Sequence, residues 1–273
     1  MAELPILIIG GAGKTGGRVD ALLKTRGVPT RPASRSTPIP FDWTRRKTWP
    51  AALAGVSAAY VTYQPDLAVE GAAESIAEVA RLARESGLKH FVLLSGRGEA
   101  GAERAETALQ QSGVPWTIVR ASWFNQNFSE GYLLDGIQAG EIALPAGAVL
   151  EPFVDADDIA EVVVAALTEK HHAGRLYEVT GPRALTFAEA VAEIAAASGR
   201  PIRYRQVTPE EFAAALRPHV SADVVALMLE LFTIVLDGRN SGLAHGVEAA
   251  LGRPARDFAD YARRTAATGV WRA

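Results

Sequence analysis

The sequence predicts an α/β fold: a Rossmann-type doubly wound parallel sheet with helices on both faces and a smaller, mostly helical C-terminal region. Three observations carry that expectation. From Pro5 onward short β-rich runs alternate with longer helical patterns, the runs are almost continuously apolar, and a glycine-dense turn joins the first run to the first helical pattern. Strands are expected at 6–9, 28–34, 58–63, 90–95, 116–120 and 176–180, each short enough and apolar enough to be buried on both faces. Residues 69–86 form the crossover helix between the third and fourth strands. Ala73, Ile76, Ala80 and Ala83 make one stripe there, Glu74, Glu78, Arg81 and Glu85 lie elsewhere, and Gly87 supplies the left-handed stop. The pattern changes near Gly199 and Pro201. Thr208-Pro209-Glu210-Glu211 is a capping box with proline at the first helical position, and Ser221 opens a further helical run through Phe232. The division expected is a nucleotide-binding portion over 1–150 and a substrate-binding or lid region over 151–273 that completes the sheet.

Composition narrows the function. With 273 residues, 48% of them hydrophobic and 22% charged, the chain can bury a large core and is not expected to be disordered. Lys and Arg number 28 against 31 Asp and Glu, and short basic runs such as Arg45-Arg46-Lys47 are too dispersed to track phosphates, so nucleic acid is not an expected partner. No apolar run reaches the roughly 18 residues of a membrane helix, and Glu3 stands where a signal peptide would be basic; a cytoplasmic location is expected. Cysteine is absent, which removes disulfides, thiolate nucleophiles and cysteine-ligated metals.

Five glycines fall between Gly10 and Gly17, directly after the first strand and before a helical run. The spacing Gly10-x-x-Gly13-x-x-Gly16 is a variant of the dinucleotide fingerprint, in which the backbone approaches a pyrophosphate and a helix N-terminus faces its charge. Gly13-Lys14-Thr15 also resembles the end of a P-loop, but that motif needs glycine five residues earlier, where Ile8 stands. At the end of the second strand NAD enzymes place an acid on the ribose, and no acid occurs between Ala21 and Phe41. Arg35 lies there instead, flanked by Ser34 and Ser36, a set suited to a 2′-phosphate. NADP(H) is therefore the expected cofactor, while Arg31 reads as a solvated loop arginine.

The Tyr-x-x-x-Lys pair of carbonyl-reducing short-chain dehydrogenases is missing. Four residues after the six tyrosines stand Gln64, Leu67, Gly136, Gly181, Thr208 and Thr265. A carbonyl substrate would need another proton donor, such as Tyr63, Ser95 or a water; an iminium, already cationic, needs hydride alone. Cations stack on aromatic faces, and Trp123, Phe124, Phe128 and Tyr132, beyond Arg120 at a strand end, are the candidates for a substrate pocket. His171 and His172 read as helix-end residues with no further ligand cluster, so no metal is expected. Asp155, Asp157 and Asp158 read as N-terminal stabilisers of the helix that follows.

The segments Gly10-Gly11-Ala12-Gly13-Lys14-Thr15-Gly16, Ala33-Ser34-Arg35-Ser36, Phe41-Asp42-Trp43, Phe91-Val92-Leu93-Leu94-Ser95, Ser122-Trp123-Phe124 and Pro152-Phe153-Val154 with Asp157-Asp158-Ile159-Ala160 resemble the NmrA-like atypical short-chain dehydrogenases, closest to the ergot alkaloid reductase type. The resemblance implies that Gly10, Gly13 and Gly16 with Lys14 and Thr15 hold the pyrophosphate, that Ser34, Arg35 and Ser36 hold the 2′-phosphate, and that Asp42 and Trp43 lie near the adenine. Thr62, Tyr63, Ser95, Trp123 and Phe124 would border the nicotinamide and substrate. Where many relatives carry a lysine four residues before a helix glutamate, here Glu106, this chain has Ala102. The implied activity is NADPH-dependent hydride transfer to a small, partly aromatic electrophile of iminium, enone or quinone type, in a monomer or homo-oligomer. The alternative from another class is a non-catalytic NADP(H) sensor that reports redox state to a protein partner.

Overall fold

A computed structural model describes residues 4–272; Glu3 lies outside them. The chain divides into two compact units, each discontinuous in sequence. The first contains the residues up to Ala121, Ala156–Val179 and His245–Arg253, and the second Ser122–Asp155, Thr180–Ala244 and the residues from Pro254. The second unit is thus inserted between the fifth and sixth strands of the main sheet and again after the sixth, whereas the sequence pattern placed a single crossing at 150/151. A parallel sheet explains the return: its last strand can only be reached by a crossover, and the helix of that crossover belongs to the sheet's own layer.

In the first unit the elements are β1 (Ile6–Ile9), α1 (Lys14–Thr25), β2 (Thr30–Ala33), α2 (Trp49–Leu53), β3 (Ala58–Val61), α3 (Ala72–Glu85), β4 (Phe91–Gly96), α4 (Ala100–Gln111), β5 (Trp116–Ala121), α6 (Ala156–Thr168), β7 (Arg175–Val179) and α10 (Gly246–Leu251). In the second they are α5 (Leu134–Ala139), β6 (Glu141–Leu144), α7 (Phe187–Ser198), β8 (Arg203–Gln206), α8 (Pro209–Leu216), α9 (Ala222–Glu230) and α11 (Phe258–Thr268). Six strands form one sheet in the order β2-β1-β3-β4-β5-β7. All its pairs are parallel, as the apolar strands require.

Alternation along the strands buries both faces. Leu7, Ile9, Val61, Phe91, Leu93 and Ile118 share one core with Ile76, Val79, Ala80 and Ala83 of α3 and with Ala102, Ala105 and Leu109 of α4. Ile6, Ile8, Tyr60, Val92 and Val119, with the opposite parity, are buried as well. On the helical layers α3 packs on α4, and α1 on α6. The crossover helix α3 starts three residues later than its apolar stripe suggested, because Asp66 accepts from the Ala68 amide at 2.8 Å and Gly71, at φ 80°, turns the chain first. Its end is as expected: Gly87 has φ 79° and Leu88 donates back to the Ala83 carbonyl at 2.9 Å.

Strand order reverses between β2-β1 and β3, the switch point where doubly wound sheets bind ligands beyond the strand ends. Ile9 is level with both Ala33 and Val61. Register alone therefore brings the glycine turn, Ser34 to Ser36 and Thr62 to one edge of the sheet. At one lateral border the Ile6 and Gly10 amides donate to the carbonyls of Pro29 and Ala33 (2.9 and 3.1 Å), at the two ends of the β1–β2 pair. At the other, Val179 of β7 is bridged by His245.

The second unit has an aromatic core of Phe128, Phe153, Phe187, Phe258, Tyr261 and Trp271. Phe153 meets Phe187 edge-on at 5.0 Å, and the Trp271 indole donates to the Phe128 carbonyl at 2.8 Å. Capping boxes start α7 at Thr186 and Glu189 and α8 at Thr208 and Glu211. The run from Ser221 is α-helical only to Glu230 and then widens into a π turn, Leu231–Val235. Pattern reading missed the small parallel sheet of β6 and β8. Arg203-Tyr204-Arg205-Gln206 shows no apolar alternation; Glu141 holds it through Arg203 (2.8 Å) and Arg205 (3.0 Å). Among the described residues no helix is long and apolar enough to cross a membrane.

Candidate cofactor site

The glycine turn is shaped by contacts that only glycine permits. Gly10 has φ 81°, and a Cβ on it would lie 2.2 Å from Thr62 Oγ1. Its carbonyl accepts from the Gly13 amide at 2.8 Å, and a Cβ on Gly16 would fall 2.2 Å from that same oxygen. Gly13 is the extended N-cap of α1 and makes no side-chain cap, leaving a helix N-terminus of the kind that favours an anion. No acidic residue occupies that turn. The residues present fit a dinucleotide pyrophosphate.

Behind the turn, Tyr60 on β3 donates its hydroxyl to Thr15 Oγ1 at 2.9 Å, both groups being buried. Burial raises the Tyr60 phenol well above its ordinary range, so it remains a donor. Tyr60→Phe is expected to cost about 1–2 kcal/mol in chemical denaturation by removing this buried bond, with a weaker NADPH affinity because Thr15 loses its brace. Thr62 uses its hydroxyl on the Ile9 carbonyl (3.1 Å) and its own carbonyl on the Trp43 indole (3.1 Å).

Beyond β2, the hydroxyls of Ser34 and Ser36 lie 3.2 Å apart, and the turn is closed by the Phe41 amide on the Ser34 carbonyl at 3.0 Å. Arg35 lies exposed on this turn. Arg31 is not the solvated loop arginine expected from sequence. It donates to the carbonyls of Ala52 (3.2 Å), Ala54 (2.6 Å) and Gly55 (3.3 Å), closing the end of α2. Asp42 accepts from the amide and hydroxyl of Thr44 at 2.9 and 2.8 Å, which hold its carboxyl below the usual range. Trp43 packs against Phe41 (4.8 Å), Trp49 (5.7 Å) and Tyr63 (4.5 Å), so the structure groups Tyr63 with the aromatic residues after β2.

Ser95, at the end of β4, donates to Glu106 Oε1 at 2.6 Å. Glu106, 3% exposed on α4, also takes both arms of the Arg120 guanidinium, which raises the Arg120 pKa. Arg120 approaches Glu178 at 3.5 Å, and Glu178 is bound by Arg97 at 2.6 Å. The sequence carried one signal for this network: Glu106 is the charged residue on the buried stripe of Ala102, Ala105 and Leu109. Ala102 is completely buried, and a lysine there would displace the packing of α4. No hydrogen bond joins Tyr63 to Ser95 among the described residues.

In the second unit, Trp123 is edge-on to Phe187 at 5.4 Å and tilted on Phe232 at 5.0 Å. Its backbone and that of Asn125 are pinned to Val154 (2.8 and 2.9 Å), with Phe124 between them half-buried. Phe128 is wholly buried against Phe153 (5.7 Å) and Phe258 (5.7 Å), a packed ring with no exposed surface, whereas Tyr132 is 47% exposed and outside the ring cluster. The acidic triplet serves structure. Asp155 binds Gln126 (2.7 Å) and Arg264 (2.5 Å), Asp157 binds Arg18 (2.7 Å) and Asp158 binds Arg253 (2.7 Å). His171 and His172 stand in a short 3₁₀ turn with Glu169 beside both, a third group the sequence reading did not join to them.

A parallel sheet with a switch point, a glycine turn beneath a bare helix N-terminus and a Ser-Arg-Ser turn beyond the second strand define a dinucleotide-binding protein of the doubly wound class. Residues 10–170 match the NAD(P)H-binding family and residues 102–258 the NmrA-like family. The chain belongs to the NmrA-like family. It is 33% identical to an NAD(P)H azoreductase of Xenophilus azovorans, over 96% of this chain and 98% of that one. It is 29% identical to a festuclavine dehydrogenase of Aspergillus fumigatus, covering 96% and 97% of the two chains. The structure of an NADPH-dependent quinone oxidoreductase of Escherichia coli complexed with NADPH superposes with a TM-score of 0.79 at 21% identity, covering 95% of this chain and 99% of that one.

Proposed function

We propose that the chain is an NADPH-dependent oxidoreductase that passes hydride to a small activated electrophile of the iminium, enone or quinone type. The observation that carries the chemistry is the state of Ser95. Its hydrogen is committed to Glu106 at 2.6 Å, and that carboxylate is ion-paired with Arg120, so Ser95 presents lone pairs instead of a proton. With Tyr-x-x-x-Lys absent as well, the residues favour an acceptor that takes hydride without a strong enzymic acid. Tyr63, whose hydroxyl makes no hydrogen bond among the described residues, is the donor available to a carbonyl acceptor. Trp123, Phe124 and Tyr132 are assigned to the substrate, while Phe128 packs behind Trp123 through Phe187, which touches both rings. That an azoreductase and a dehydrogenase are close relatives over nearly the whole chain supports an enzyme.

Bound at the glycine turn, the reduced dinucleotide supplies the hydride; the chain's own part is to fix it by the α1 amides and to select the phosphorylated form by Ser34, Arg35 and Ser36. Arg35→Ala is expected to weaken NADPH binding about 10- to 150-fold and leave NADH nearly unchanged, as loss of one charge-assisted contact to the 2′-phosphate implies. Fluorescence titration with both nucleotides checks this, and equal losses would refute the assignment. The same titration, continued with a panel of imines, enones and quinones while NADPH oxidation is followed, tests the reaction. Turnover of one class supports the reductase and names its chemistry; tight binding with no turnover across the panel replaces it with a redox sensor.

A further inference from the structure

Away from the glycine turn, at the edge of the sheet where β5 and β7 begin, a second cluster stands unused. Glu169 follows α6, and Lys170–His172 close the 3₁₀ turn that leads to β7. His172 has no exposed surface. Its ring is fixed by a 2.8 Å hydrogen bond between Nδ1 and the Tyr177 hydroxyl, and its carbonyl accepts from Thr117 Oγ1 at 2.6 Å. The other ring nitrogen, Nε2, is buried with no hydrogen-bond partner. A buried polar atom left so is costly unless something occupies the space it faces. It faces Glu169 Oε2 at 3.6 Å, too far for a hydrogen bond, and Nε2 of His171 lies 3.8 Å from the same oxygen.

We propose that Glu169 Oε2, His171 Nε2 and His172 Nε2 hold a divalent transition-metal ion, zinc or one of similar ligand preference. The three atoms lie within 4.8 Å of one another. Two ligands each about 2.1 Å from a tetrahedral ion are roughly 3.4 Å apart; the two pairs that include Glu169, at 3.6 and 3.8 Å, need a small contraction, and the two histidine nitrogens, within 4.8 Å, close together by rotation of the exposed His171 ring. Two imidazoles and one carboxylate suit zinc and its neighbours and leave a position for water. Tyr177 suits the part played by outer partners of metal-bound histidines: in the tautomer with the proton on Nδ1, its hydroxyl oxygen accepts from Nδ1–H and the lone pair stays on Nε2. All three ligands come from one turn at the start of the edge strand, remote in register from Gly10 to Gly16, so the ion clamps that turn and takes no part in hydride transfer.

Titrating tag-free protein with Zn²⁺ by calorimetry, and with Co²⁺ followed by its visible absorption, tests this. One saturating ion per chain is expected, with a rise in Tm. His171 is exposed, so His171→Ala removes a ligand without touching the core; it and Glu169→Gln should each weaken binding at least about tenfold and abolish the Tm shift. His245→Ala, which alters the other exposed His-Glu pair (3.6 Å from Glu248), should leave binding unchanged. Absence of saturable binding to the wild-type chain, undiminished binding to His171→Ala, or loss of binding in His245→Ala would each overturn the site. NADPH affinity, measured with and without Zn²⁺, should not move.

Discussion

Gly16→Ala is expected to abolish dinucleotide binding, with NADPH affinity falling more than about 100-fold, or roughly 3 kcal/mol. The added methyl would lie 2.2 Å from the Gly10 carbonyl oxygen and 2.7 Å from its carbon, both backbone atoms that no side-chain rotation can clear. Moving Gly10 breaks the hydrogen bond from Gly13 that shapes the turn, and Gly10 is itself held against Thr62. Overpacking of this kind costs about 1–3 kcal/mol of stability besides. The neighbouring glycines provide a graded control. A Cβ on Gly13 would be 3.2 Å from the same oxygen, a tight contact, and on Gly17 3.6 Å from the Gly11 carbonyl, an ordinary one. Losses should therefore rank Gly16→Ala, then Gly13→Ala, then Gly17→Ala. The last should raise Tm slightly, since alanine is favoured over glycine in a helix by about 0.5–1 kcal/mol. If Gly17→Ala impaired binding as much as Gly16→Ala, close backbone packing would not be the reason for the motif.

Glu106→Ala is the second large effect, and it acts on stability. The carboxylate, itself 3% exposed, neutralises the partly buried Arg120 guanidinium and receives the buried Ser95 hydroxyl. Removing one partner of a buried pair strands the other charge, at about 3–5 kcal/mol. In a chain of this size that lowers Tm on the order of 10 °C, which thermal unfolding followed by circular dichroism would register. Arg120 keeps only the longer approach to Glu178, 3.5 Å, as compensation. Replacing both Glu106 and Arg120 by apolar residues of similar volume should recover much of the loss, since the cost lies in the unpaired charge. A double variant as unstable as Glu106→Ala would show that the network contributes more than mutual neutralisation. Any gain in stability with loss of turnover would point to the Ser95 hydroxyl, which Glu106 orients.

The central strands β1 and β3 could be read from sequence because burial on both faces leaves no polar positions to blur them. Ile6–Ile9 is found as expected, and each of the other expected strands shifts by no more than two residues at either end. The glycine turn was legible because its geometry is local: the clash of Gly16 with Gly10 spans six residues. Arg31 was misread because its partners lie 21 to 24 residues away, in carbonyls exposed by the end of a helix not visible as a capping problem in the sequence. Apart from the place of Glu106 on an apolar stripe, the Glu106 network was illegible for the same reason, drawing on β4, α4, β5 and β7. Strand β8 escaped because its pairing is secured by Glu141 through two arginines, a charge pattern indistinguishable from a solvated loop. Lateral cohesion of side chains, unlike alternation, leaves no period to detect.

The two borders of the six-stranded sheet bear on how the protein behaves at high concentration. Because the Ile6 and Gly10 amides take the carbonyls of Pro29 and Ala33, the backbone groups of the odd positions turn toward β1 and those of Pro32 turn outward, where its ring replaces an N–H. That border is four residues long and lacks a donor at its centre. The opposite border is occupied: His245 bridges Val179, and Gly246 packs so closely on Glu178 that a Cβ there would lie 2.2 Å from its carbonyl. Neither margin presents the long row of unsatisfied amides on which a foreign strand could crystallise into a fibril, so aggregation through sheet fusion is disfavoured while the native state persists.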